Sequence, residues 1–224
     1  MCGRYTITVD TDELSERFGC IVIQKSEGPR YNMAPQQMAP VIINNQGQNE
    51  MHLLKWGLVP FWAKESSIGS RLINARWETL LEKPAFKHLL RRKRCLIPAD
   101  GYYEWQKLGG EKHPYRIIMS SREVFGLAGL WDEWIGADGE KLTTYTIITT
   151  DAAPAVSKLH ARMPFILPPE KEEPWLDDTM NMTGQAIGGW LSTFSPVEDL
   201  IAYPVSRLVN SVANDKPDCI VAVE

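Results

Sequence analysis

Apolar and polar positions along this chain change over in short runs, and most of those runs have the two-residue period of a strand. One early stretch is helical instead. Asp10-Thr11-Asp12-Glu13 opens a short helix in which Asp10 can cap, Glu13 stands three residues on, and Gly19 after Phe18 stops it. Cys20-Ile21-Val22-Ile23 predicts a short buried strand. Tyr31-Asn32-Met33-Ala34-Pro35 predicts an extended segment, because proline disfavours helix in the residue before it. Val41-Ile42-Ile43, the polar turn through Gly47, and an arm over 51–59 read as a β-hairpin, which runs into the exposed aromatic pair of Pro60-Phe61-Trp62.

Helices are predicted over 74–81 and 84–94, the second starting at Pro84 and ending in the cations Arg91-Arg92-Lys93-Arg94. Strands follow over 95–98 and 102–105, then 115–119, 124–130 and 143–149. A helix is expected to follow Asp151-Ala152-Ala153-Pro154 and run to about His160, with an acidic one over 170–176, another over 184–191, and a last strand over 205–209. Helices lie among the strands without βαβ regularity, so the fold class is α+β with a mixed or antiparallel sheet. No repeat or linker divides the chain, which reads as a single domain over 1–224.

Composition narrows the classes. The 44% hydrophobic and 23% charged content suits a soluble globular protein. No apolar run approaches the roughly 18 residues that span a bilayer, and no signal-peptide core stands at the start, which points to the cytoplasm and away from a membrane partner. The four cysteines are scattered, without C-x-x-C or a histidine pair at ligand spacing, so neither a disulfide framework nor a metal site is expected. Charge is uneven: residues 1–122 hold 18 basic and 12 acidic side chains, and residues 123–224 hold 6 and 16. A chain of net charge −4 can therefore present a positive face to an anionic partner.

The chemistry starts at Cys2, directly behind the initiator methionine. Removal of Met1 leaves a free α-amine and a thiol on adjacent carbons. The amine titrates near pH 8, so part of it is nucleophilic at neutral pH, and the thiol near 8.5, lower beside a cation such as Arg4. A 1,2-aminothiol forms a Schiff base with an aldehyde and then closes sulfur onto the imine, giving a thiazolidine. Glu104 lies in Tyr102-Tyr103-Glu104-Trp105, on the strand face opposite Tyr103 and Trp105, where packing among rings raises a carboxyl toward neutral pH. Asn74 beside Arg76 sits where a helix cap is predicted, His160 stands near the cations Lys158 and Arg162, and Arg207 and Asn210 lie near a strand end.

Met1-Cys2-Gly3-Arg4-Tyr5, Tyr31 to Pro35, Trp56 to Trp62, Ile73 to Arg76, Ile97 to Trp105, His160 to Pro164 and Val205-Ser206-Arg207 together resemble the SRAP (SOS-response-associated peptidase) family, in the family's order and over nearly the whole chain. The resemblance implies a barrel-like sheet core with peripheral helices, no cofactor, and a nucleoid-associated shield for abasic sites in single-stranded DNA. It implies that Cys2 captures the ring-opened sugar aldehyde as a thiazolidine crosslink, by Schiff-base chemistry of the lyase kind. Asn74 then positions the N-terminus, Glu104 handles protons at the amine, and His160 assists ring opening and the imine step. Arg4 and Arg76 hold phosphates, Trp62 and Asn32 line the DNA channel, and Arg162 and Arg207 complete the DNA-binding set. The peptidase name implies release of Met1, autocatalytic or by an aminopeptidase. Replication or repair proteins remain open as partners. Two rival readings are an N-terminal-nucleophile amidohydrolase and a DNA-binding module in which Cys2 is incidental.

Overall fold

The computed structural model describes residues 2–179 and 184–223, the side chains of 184 and 185 aside. Among these described residues thirteen strands run in chain order: β1 (Tyr5–Ile7), β2 (Ile21–Val22), β3 (Arg30–Met33), β4 (Met38–Asn45), β5 (Gln48–Trp56), β6 (Asn74–Arg76), β7 (Arg94–Ala99), β8 (Gly101–Leu108), β9 (Glu111–Met119), β10 (Phe125–Ile135), β11 (Lys141–Asp151), β12 (Arg162–Pro164) and β13 (Leu200–Pro204). Three helices accompany them among the described residues: α1 (Thr11–Phe18), α2 (Pro169–Leu176) and α3 (Gly184–Leu191).

Strands β4, β5, β11, β10 and β7 close on themselves as a barrel, every seam antiparallel except β5–β11. A second sheet, in the order β13-β9-β8-β1-β3, lies over the core. Its strand β8 shows the alternation at work. Tyr102 joins the main apolar core, whereas Tyr103 joins a separate small cluster with Val205, Val209 and Cys219. A buried polar clamp fixes β1: Asp100 accepts from Thr6 Oγ1 at 2.5 Å, and Arg116 Nη2 lies 3.2 Å from Asp100 and donates to Thr6 Oγ1 at 3.0 Å. The N-terminal segment is thereby seated across the barrel.

Local signals succeeded where they closed on themselves. Asp10 accepts from the Glu13 N–H at 2.9 Å, and Gly19 takes the left-handed conformation at φ 57°, so α1 has both ends satisfied. The hairpin forms as expected, with Gln46 and Gly47 at positive φ and Asn44 Oδ1 accepting from the Gly47 N–H. Four expectations are corrected. Over 74–81 the chain is not helical: β6 pairs in parallel with β11, Asn74 opposite Ile147, and a 3-10 turn follows over Trp77–Thr79. Pairing with an already formed strand outweighs local propensity there. Over 84–94 only a 3-10 turn forms (Leu89–Arg91), because Arg94 is drawn inside, where its guanidinium donates to the carbonyls of Leu90, Arg91, Trp175 and Asp177. The helix expected after Asp151–Pro154 is a run of turns. The expected last strand is a 3-10 turn over Arg207–Asn210 capped by Ser206, the true strand β13 ending just before it. The segment 20–23 is also less buried than expected: Ile21 and Ile23 are 44% and 50% exposed at the sheet edge. Among the described residues no helix is long and apolar enough to cross a membrane.

The loop carrying Phe61 and Trp62 is held at its root by two backbones in contact. A Cβ on Gly57, at φ +121°, meets the Gly69 carbonyl oxygen at 2.5 Å. The Gly57 N–H donates to the Tyr145 carbonyl at 2.8 Å, and Val59 N–H to Thr144 Oγ1 at 2.8 Å. Gly57→Ala adds both left-handed strain and a clash that neither backbone can relieve. It is expected to lower unfolding free energy by about 2–5 kcal/mol in urea titration, and a loss below about 0.5 kcal/mol contradicts the close approach.

Candidate active site

Strand β1 pairs with β8, Tyr5 opposite Tyr102, and the Tyr103 N–H extends the ladder backwards to the Arg4 carbonyl at 3.0 Å. That register brings the start of the chain beside Glu104. From the other side β6 delivers Asn74, whose Nδ2 donates to the Cys2 carbonyl at 2.8 Å. Residues 72 positions apart are thus joined by one bond. The other amide atom, Asn74 Oδ1, is buried and has no hydrogen-bond partner among the described residues. An acceptor left open within reach of the Cys2 main chain is suited to a nearby N–H group.

The Cys2 thiol is fully buried. Its Sγ contacts the carbonyl of Arg4 at 3.8 Å, not the guanidinium. Burial, and secondly the Glu104 carboxylate, push the thiol well above its ordinary value, opposite to the depression expected from Arg4. Sulfur is therefore a protonated, desolvated group here. Glu104 is 5% exposed, and burial raises its carboxyl above the usual range while the nearby His160 acts the other way. The sequence-based expectation for this carboxyl agrees with the structure in burial and in direction.

His160 lies on a turn, with Nδ1 accepting from the Arg162 N–H at 2.9 Å. The same Nδ1 lies 3.2 Å from the Arg162 carbonyl, and the tautomer that lets it accept from the N–H is the one with its proton on Nε2. Arg162 itself is spoken for: its guanidinium meets both carboxylate oxygens of Glu78 (2.7 and 2.9 Å), Asp151 at 2.7 Å and the Thr149 carbonyl at 2.6 Å. That fork ties β12 to the segment after β6 and holds the His160 turn in place.

The remaining basic and aromatic positions divide by exposure. Arg76 is exposed, as are Phe61 and Trp62, at 60% and 49%. Arg4 is half-buried and donates to Asn32 Oδ1 at 2.7 Å and the Val209 carbonyl at 2.8 Å. Asn32, expected to line a channel, is fully buried instead, and its Nδ2 donates to the carbonyls of Val209, Ser211 and Asn214. It fixes Arg4 and the C-terminal segment to β3. Arg207 is exposed and pairs with Glu111. A cavity of about 480 Å³ lined by Gly3, Arg4, Trp105, Lys112 and Asn210 opens beside the start of the chain.

Sequence reasoning missed Tyr102. Its ring is fully buried, its hydroxyl has no partner among the described residues, and Cys2 and Glu104 both bear on it electrostatically. The signal was available, since Tyr102 and Glu104 are two apart on one strand and share a face. Nothing in the sequence marks the hydroxyl pair Tyr5–Tyr145 at 2.6 Å, or Glu78. Among the described residues no cluster of three histidine, cysteine or carboxylate side chains is arranged to hold a metal ion. Release of Met1 lies outside the described residues.

Comparison with known proteins finds relatives over nearly the whole chain. The chain is 42% identical over 223 residues to the abasic site processing protein YoqW of Bacillus subtilis (strain 168), covering 98% of this chain and 99% of that one. It is 37% identical to the abasic site processing protein HMCES of Gallus gallus, over 88% of this chain and 67% of the relative. A crystal structure of a protein from Bacteroides thetaiotaomicron superposes with a TM-score of 0.87 at 28% identity, covering 99% of this chain and all (100%) of that one. The family model for SOS response associated peptidase (SRAP) matches residues 1–212, and the chain belongs to that family.

Proposed function

We propose that this chain processes abasic sites in DNA by capturing the ring-opened sugar on Cys2. The observation that carries the reading is the bond from Asn74 to the Cys2 carbonyl, which fixes the first residues of the chain beside the buried carboxyl of Glu104. The full-length likeness to proteins named for abasic site processing supports the substrate class.

In the encoded chain the Cys2 nitrogen is an amide and cannot attack a carbonyl. Hydrolysis of the Met1–Cys2 bond, consuming one water, frees it as an amine. Asn74 Oδ1, buried and open, is the acceptor available to orient that amine. The unprotonated amine adds to the sugar aldehyde carbon, and the carbonyl oxygen takes a proton to give a carbinolamine. Loss of that hydroxyl as water leaves the imine, with His160 Nε2–H as the donor to the departing oxygen. Sulfur then adds to the imine carbon while the thiol proton passes to nitrogen, closing the thiazolidine with water as the sole leaving group. Because burial keeps the thiol protonated, the amine acts first and sulfur second. Glu104 carries protons between these atoms. Exposed Arg76 and Trp62 serve the strand: a cation for phosphate and a ring for unpaired bases. Arg4, Arg162 and Arg207 contribute to that field through cations already engaged within the protein.

Intact-mass spectrometry of the protein mixed with a single-stranded oligonucleotide bearing one abasic site tests the reading. The expected product is a one-to-one adduct lighter by one water than the sum of its parts, absent in Cys2→Ala and in a chain with an N-terminal extension. An amidohydrolase gives no such adduct, and full protection of the abasic strand by Cys2→Ala indicates a module that only binds.

Glu104→Gln is expected to act in opposite directions on rate and stability. The carboxyl sits above its unfolded value in the folded chain, so folding holds the proton more tightly than the unfolded state does. Stability is then lost as pH rises from the unfolded value through the folded one, and the glutamine variant escapes that loss. At pH 7 the variant should melt higher than the parent, crosslink roughly 10²-fold more slowly, and lack the acidic limb of the pH–rate profile. A variant that crosslinks at the parental rate removes Glu104 from the mechanism.

A further inference from the structure

Tyr102 is wholly buried, and its hydroxyl has no hydrogen-bond partner among the described residues. A buried hydroxyl without an acceptor costs stability, so its presence beside a reactive centre calls for a reason. Two neighbouring phenols differ from it: Tyr5 and Tyr145 bond to each other at 2.6 Å. Burial pushes the Tyr102 phenol well above its ordinary value, which leaves it a proton donor and not an anion.

The register of β8 seats this donor beside the start of the chain. Tyr102 stands opposite Tyr5 on β1, and Glu104, two residues further along β8, shares its face. The Arg4 carbonyl accepts from the Tyr103 N–H at 3.0 Å and from Cys2 Sγ at 3.8 Å. One oxygen thus joins the sulfur to the Tyr102–Tyr103 peptide. The groups that bear on Cys2 are Glu104 and Tyr102 from β8, Tyr5 from β1 and Tyr145 from β11. Tyr5 and Tyr145 engage one another, and Glu104 serves the amine, which leaves Tyr102 as the donor for sulfur. The thiol directs its own proton to the Arg4 carbonyl, and its lone pairs remain to accept.

We propose that the Tyr102 hydroxyl donates a hydrogen bond to the Cys2 sulfur as the thiazolidine closes. The inference rests on the capture reading for the reaction and on the β8 register for the contact. In that step a sulfur lone pair forms the S–C bond, the π pair of C=N moves onto nitrogen, and the thiol proton passes to that nitrogen. Sulfur gains negative charge as its proton leaves, in a site shielded from solvent. Tyr102 supports that charge and keeps its own proton. A hydrogen bond to a charged group changes such a step on the order of ten- to a hundredfold. Imine formation, which sulfur does not enter, is untouched.

The test uses the full chain freed of Met1, with an abasic single-stranded oligonucleotide and, separately, with formaldehyde as the aldehyde. Cyanoborohydride reduces the imine to a secondary amine and leaves the closed ring, so the ratio of the two products at the N-terminal peptide reports closure. In Tyr102→Phe the share trapped as amine should rise roughly tenfold over the parent with both aldehydes. Its thermal melt should stay level or rise, because an unpartnered buried hydroxyl has been removed. Replacing Tyr102 by 3-fluorotyrosine, a more acidic donor, should restore the parental ratio. Tyr145→Phe breaks the bond to Tyr5 and should lower the melt with the ratio unchanged. A parental ratio in Tyr102→Phe overturns the assignment, as does an equal shift in Tyr145→Phe. A ratio that 3-fluorotyrosine fails to restore marks the change as structural and overturns it too. A parent that gives no adduct on abasic DNA, yet shows the formaldehyde ratio and its shift in Tyr102→Phe, refutes the DNA reading and upholds the hydrogen bond. No thiazolidine from the parent with either aldehyde overturns both.

Discussion

The Asn74 amide reaches the carbonyl of Cys2, and the rest of the site is arranged around that bond. It requires β6 to lie parallel against β11, at the same end of the molecule to which β8 brings Glu104. Parallel neighbours need long connections, so this placement depends on the barrel having closed through β5 and β11. The Asp100–Arg116–Thr6 clamp matters for the same reason, since it holds β1 in the register that aims the first residues at Glu104.

Burial sets the chemistry more than charge does. A desolvated thiol, a desolvated carboxyl and an unpartnered tyrosine hydroxyl are each costly to keep inside a fold. Here they sit within one neighbourhood, where the same desolvation disfavours the charged form of each. Stability spent at such a site is recovered in the barrel, whose strands bury a continuous apolar core. Tyr5 and Tyr145, sharing a short hydroxyl contact near Cys2, form the boundary between the two regions.

The cations fall into two groups that no count of residues distinguishes. Arg94, Arg116 and Arg162 are turned inward and satisfy carbonyls and carboxylates, so they act as architecture. Arg76 and Arg92 remain on the surface. The basic excess of the first half of the sequence is thus only partly available to a polyanion.

By itself the sequence determined whatever depends on near neighbours. The helix α1, closed by Asp10 and Gly19, the hairpin turning at Gln46-Gly47, the shared face of Tyr102 and Glu104, and the ordered motifs that mark the family were all legible, because capping, turn chemistry and strand alternation act over a few residues. Only the tertiary structure decided that 74–76 would be a strand, since its partner β11 lies some 70 residues away and supplies hydrogen bonds that local propensity cannot anticipate. It likewise decided that Asn32 would be buried as a brace, that Arg162 would pair with Glu78, and that the thiol of Cys2 would be sealed from water. Burial and ion pairing are properties of what surrounds a side chain, and those surroundings come from segments far apart in the chain.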